Sequence, residues 1–131
     1  DASAQPRCEA DTRSSRPVKH VVDKMLFNYH NIGFIHLVFP EAKIIHVVRD
    51  PMDTIFSCFK SKFEDDGLQF ASDFSHLVLQ YVLYRRTMEH WENVLPGRVI
   101  TVRYEDLVSD QKGMTQWLFR ELDLPWEDDV L

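Results

Sequence analysis

The chain has 131 residues, 44% of them apolar, which leaves room for one domain with a real core and argues against disorder throughout. A net charge of -6 and a pI near 5.4 exclude a broad nucleic-acid or acidic-membrane surface, because those partners need an excess of Lys and Arg. Any anion bound here is held by a few placed cations.

Residues 1–17 are polar, small and proline-bounded and read as an irregular segment, with the domain proper over residues 18–131. "VKHVV" (18–22) suits a short buried strand. "NYHNIGFIHLVF" (28–39) predicts a helix, with Asn28 as cap, Ile32, Ile35 and Phe39 at helical spacing and Pro40 as the stop. "AKIIHVV" (42–48) is the second predicted strand, apolar almost throughout, as a parallel strand covered on both faces reads. Asp50 can cap the next helix and Pro51 fits its first turn, where no amide donor is missed. Phe56, Phe59 and Phe63 are expected as its buried stripe, with Asp53, Ser57, Lys60 and Ser61 on a polar side.

"EDDGL" (64–68) breaks the pattern, and Phe70, Phe74, Leu77, Tyr81, Tyr84, Met88 and Trp91 then alternate steps of four and three. That is the mark of a long amphipathic helix whose stripe packs the core. "LPG" ends it, "RVITVRY" (98–104) is the third strand, and "EDLVSD" leads to a last helix around "GMTQWLFREL". Strands joined by crossover helices run parallel, and open α/β sheets bind ligands at the carboxyl ends of their strands. Lys24, Arg49 and Tyr104 each follow a predicted strand, so a parallel sheet would set them on one rim. A forked guanidinium suits phosphate oxygens, and Ser57, two helical turns beyond Arg49, can add a hydroxyl. The residues by themselves describe a rim that binds a phosphorylated small molecule.

"VDKMLFNYHNIGFIHLVFPEAKIIHVVRDPMDTIFSCF", "HWENVLPGRVITVRYEDLV" and "LDLPW" resemble the sulfotransferases that use 3'-phosphoadenosine 5'-phosphosulfate (PAPS), especially the branch holding the tyrosylprotein sulfotransferases. The resemblance covers about residues 18–131. It implies a P-loop-like α/β fold, a parallel sheet flanked by helices, present here as an incomplete sulfotransferase domain. It also implies transfer of the sulfuryl group of PAPS to an acceptor hydroxyl, on a protein tyrosine or a small molecule, without a metal. In the family the strand-Arg-x7-Ser-helix unit, Arg49 and Ser57 here, binds the 3'-phosphate, and Tyr104 matches a tyrosine that contacts the nucleotide. Lys24 matches the lysine that stabilises charge on the group in transit, and is the expected catalytic residue. Ser61 stands where the tyrosylprotein branch has a further nucleotide-binding arginine, a place Lys60 or Lys62 could fill. Sulfuryl transfer spreads charge over equatorial oxygens between nucleophile and leaving group, so placement and cations do most of the work.

The family's 5'-phosphosulfate loop, a Pro-x-Ser-Gly-Thr-like turn, has no counterpart in residues 1–17, and no Walker sequence occurs, which weakens a P-loop kinase reading. "RCEADTR", with Asp11, lies too close to Lys24 to be read as the segment carrying the catalytic base. The chain by itself is therefore expected to have little or no activity. A different-class alternative is a catalytically inactive α/β interaction module derived from a sulfotransferase, docking through the aromatic helix. Cys8 and Cys58 form no CxxC pair, so a zinc site or disulfide framework is not indicated, and a reducing, cytoplasmic setting is the default. A eukaryotic tyrosylprotein sulfotransferase would instead imply the Golgi lumen. No apolar run approaches the roughly 18 residues that span a bilayer, the six histidines read as surface or packing residues, and Glu105-Asp106 reads as charge at a helix start.

Overall fold

In the computed structural model, residues 19–61 and 71–130 are described. The readings of residues 1–17, of Val18 and of residues 62–70, which include Phe63 and Phe70, lie outside them.

A 3-10 turn, Asn28–Asn31, leads into helix α1, Ile32–Val38. Strand β1, Ile44–Val48, feeds α2, Pro51–Lys60, and the long α3 runs over Phe74–Val94. Strand β2, Val99–Arg103, passes directly into the short α4, Tyr104–Ser109, and α5, Gln111–Glu121, follows. The two strands pair in parallel, with Ile44 opposite Val99 and Val48 opposite Arg103. The class is thus α/β, a small parallel sheet flanked by helices.

Local chemistry explains most boundaries. Asp50 caps α2, its carboxylate accepting from the amides of Met52 at 2.8 Å and Asp53 at 3.2 Å, and Pro51 occupies the first turn. Asp73 and Asp110 cap α3 and α5 in the same way, accepting from His76 and Gly113. After α3 the chain turns through Gly97 at φ 74°, a conformation glycine adopts without a Cβ penalty.

Several expectations change. The strand expected from residue 18 does not form over residues 19–22, where Val21 and Val22 are 88% and 89% exposed. A run of apolar residues becomes a strand only when a neighbour supplies a ladder and a face to pack on, and among the described residues none does so here. The helix expected over residues 28–39 begins at Ile32, preceded by a 3-10 turn. Asn28 is not its cap, because its side chain donates to Asp23 at 2.8 Å instead. In α2 the buried residue is Ile55, with Cys58 partly buried, whereas Phe56 and Phe59 are largely exposed. The seam between α2 and α3 is built from Ile55, Ala71 and Leu77, flanked by Cys58 and Tyr81.

Among the described residues only Ile32, Ile55, Ala71, Leu77, Met88 and Val102 are buried apolar side chains. Strand β1 shows the consequence: Ile44, His46 and Val48 are half-buried, while Ile45 and Val47 face outward. Both-face cover, expected from its sequence, is not present.

Candidate functional site

The register fixes the site. Val48 and Arg103 are partners at the last rung, so the next residues, Arg49 and Tyr104, leave the sheet side by side at its carboxyl edge. The Arg49 guanidinium lies 5.1 Å from the centre of the Tyr104 ring, a cation-π contact, and its Nη2 is 3.3 Å from an Asp53 carboxylate oxygen one helical turn onward. Five N–H donors on one guanidinium leave several free after that single contact. Ring and carboxylate hold the group at the edge with its charge still accessible.

A second tie joins the two strand ends. The amide of Asp50 donates to Glu105 Oε1 at 2.7 Å. That hydrogen bond is the main reason the Glu105 carboxyl is held below its ordinary range, with smaller contributions from its own backbone amide and from Arg103. Glu105, read from sequence as helix-start charge, therefore also clamps the two strand-to-helix joints together.

Lys24, Arg49 and Ser57 line one open cleft of about 1470 Å³ beside β1, α2 and α3. Lys24 reaches it from the irregular segment before the 3-10 turn and not from a strand end, so only Arg49 and Tyr104 share the sheet's rim. Tyr104 touches the cleft only through Arg49. Ser57 is exposed on α2, two turns from Arg49, and its carbonyl accepts from the Ser61 hydroxyl at 2.8 Å. The cleft is open to solvent and larger than a drug-sized pocket of roughly 300–1,000 Å³.

The far wall of the cleft is aromatic. Tyr29, Tyr81 and Tyr84 meet edge-on or tilted there, and His46 Nε2 is hydrogen-bonded to the Tyr84 hydroxyl. Burial pushes the Tyr29 and Tyr84 hydroxyls up and the His46 imidazole down, all toward their neutral forms. Sequence reasoning placed Tyr84 in a packing stripe and His46 among bland histidines, and nothing in their spacing, 38 residues apart, announces the pair. The Arg49-Asp53 contact was legible in principle from its i,i+4 interval. Among the described residues no group of three or more His, Cys, Asp or Glu side chains could hold a metal ion, and no helix is long and apolar enough to cross a membrane.

The sequence model of the Sulfotransferase family matches residues 1–128, and the chain belongs to that family. It is 33% identical over 113 residues, 85% of this chain, to an uncharacterized protein of Aquifex aeolicus. It is 39% identical over 94 residues, 66% of this chain, to the omega-hydroxy-beta-dihydromenaquinone-9 sulfotransferase Stf3 of Mycobacterium tuberculosis. With protein-tyrosine sulfotransferase 1 of Danio rerio the identity is 26% over 128 residues, 94% of this chain. The chain spans 15%, 24% and 34% of the length of these three relatives. No solved structure matches it significantly.

Proposed function

We propose that this chain is the nucleotide-gripping part of a PAPS-dependent sulfotransferase with a P-loop-like sheet. In this reading Arg49 and Ser57 hold the 3'-phosphate, Tyr104 orients Arg49 and contacts the nucleotide, and Lys24 stabilises charge on the sulfuryl group. The observation that carries the reading is the Arg49-Tyr104 pairing at the ends of two parallel strands, beside a cleft that Lys24 and Ser57 also line. A forked cation fixed by a ring and a carboxylate is preorganised for a phosphate dianion and discriminates it from nucleotides lacking that group.

In the reaction the bond from sulfur to the 5'-phosphate oxygen breaks and the bond from sulfur to the acceptor oxygen forms. The products are a sulfate ester and adenosine 3',5'-bisphosphate. The acceptor's proton passes to a general base, a role we assign to none of the described residues. Lys24 serves as a compact point charge opposite the equatorial oxygens, where charge gathers as the bonds exchange. The acceptor is a hydroxyl, with a protein tyrosine and a small-molecule alcohol both represented among the named relatives.

Calorimetric titration of the chain with adenosine 3',5'-bisphosphate tests the assignment. Binding that Arg49→Ala abolishes supports it, whereas no binding by the unaltered chain, or binding indifferent to Arg49, overturns it. Sulfuryl transfer by the isolated 131 residues is expected to be negligible.

A further inference from the structure

Among the described residues the segment that carries Lys24 has no strand partner, and its neighbours Val21, Val22 and Met25 are exposed. Something other than a sheet therefore sets this lysine, and the contacts can be followed. Asp23 accepts from the Asn28 side chain at 2.8 Å, and the Asn28 amide donates to the Met25 carbonyl at 3.2 Å, closing a small loop around Lys24. The next residue, Tyr29, is gripped from three sides. Gln80 donates to its hydroxyl at 2.9 Å, the Trp91 indole donates to its carbonyl at 2.7 Å, and its ring meets Tyr84 edge-on with centres 5.4 Å apart. Trp91 also lies so close to Gly33 that a Cβ there would come within 2.9 Å of the indole.

From Tyr84 the path enters the sheet. Its hydroxyl is hydrogen-bonded to His46 Nε2, and His46 stands on β1 three residues before Arg49. The other imidazole nitrogen, Nδ1, is buried and finds no hydrogen-bond partner among the described residues, so of these Tyr84 is the polar group that fixes the ring. A side chain held by one hydrogen bond in a partly buried site is a hinge point whose loss is felt by both elements it joins.

We infer that Tyr29, Tyr84 and His46 form a positioning relay that sets the Lys24 loop against the strand ending in Arg49. The inference rests on the reading of Lys24 as the charge-stabilising residue, and gives the aromatic wall of the cleft a task other than packing. Two cations from unrelated segments act on one small molecule only if their separation is fixed, because displacement by an ångström costs about 100-fold in rate. The relay supplies that fixing through contacts within the chain itself.

Amide hydrogen exchange on the chain without nucleotide tests the relay apart from any enzymology. Tyr84→Phe and His46→Leu are expected to speed exchange at the Asn28 and His30 amides about tenfold, with the β1-β2 amides unchanged. His46→Gln, whose side-chain amide can reach the Tyr84 hydroxyl, is expected to restore protection. Unchanged exchange at Asn28 and His30, or an equal rise across β1 and β2, overturns the relay, the second by revealing general loosening. In an active polypeptide containing this chain, Tyr84→Phe is expected to lower kcat about 10- to 100-fold with KM for PAPS unchanged, and to add nothing in a Lys24→Ala background. Full additivity with Lys24→Ala overturns the proposal. Failure of the unaltered chain to bind the bisphosphate would instead remove the functional reading and leave the exchange result to judge the relay.

Discussion

The guanidinium of Arg49 rests 5.1 Å from the ring centre of Tyr104, one residue past the last paired rung of each strand. The contact is exposed, so the ring is worth about 0.5–1 kcal/mol to the placement of the cation. Tyr104→Leu should weaken adenosine 3',5'-bisphosphate binding by about two- to fivefold, read by calorimetry, through the loss of ring support. Arg49→Lys keeps the charge but loses the fork and the stacking plane. It should therefore weaken binding about tenfold or more, well beyond the effect of the ring.

The clamp between the joints depends on ionised Glu105. Its folded-state pKa lies below the ordinary value, so the stabilisation is complete above the unfolded value near 4.3 and is lost as pH falls through the lowered folded one. The amide proton shift of Asp50, followed by NMR from neutral to acid pH, should report that titration. In Glu105→Gln the pH response of that amide should vanish. A response that persists in the variant would place the titrating group elsewhere.

His46 gives the opposite end of the same logic. Burial lowers its pKa, offset in part by Glu92 and reinforced by Arg85, with the neutral Tyr84 hydroxyl bonded to it. The unfolded chain then binds the proton more readily, so this contribution is fully present above about pH 6.5 and is lost as pH falls through the lowered folded value. Urea midpoints should fall between pH 7.5 and pH 5, and the fall should be shallower in His46→Leu.

Among the described residues six apolar side chains are buried, so each of them matters. Met88 is 3% exposed and Val47 is 57% exposed. Met88→Ala should cost about 2–5 kcal/mol, close to the whole stability of a small domain. Val47→Ala should cost within about 0.5 kcal/mol in the isolated chain, as surface changes do. Equal costs in denaturant titrations would contradict the burial pattern.

The parts legible in the sequence are those set by local chemistry. Asp50 followed by Pro51 announces the start of α2 because a carboxylate and a residue without an amide donor satisfy the same few backbone groups. The crossover through α3 required β1 and β2 to be parallel, which set Arg49 and Tyr104 on one rim, and the register then makes them neighbours. What failed depended on neighbours. The apolar run before Lys24 reads as a strand, but a strand is a relationship between two segments. The phenylalanines of α2 read as a buried stripe, whereas the seam with α3 runs through Ile55 and Cys58. The hydrogen bond between His46 and Tyr84 belongs to tertiary structure alone, since neither residue type nor interval marks it.

The side-by-side strand ends carry a thermodynamic consequence. Asp50 and Glu105 are 55 positions apart, so a dianion gripping this corner would rivet both ends of that long excursion at once. Part of its affinity then appears as added resistance to heat, rising with the logarithm of ligand concentration. If the proposed nucleotide binds here, the melting temperature would become a gauge of its occupancy.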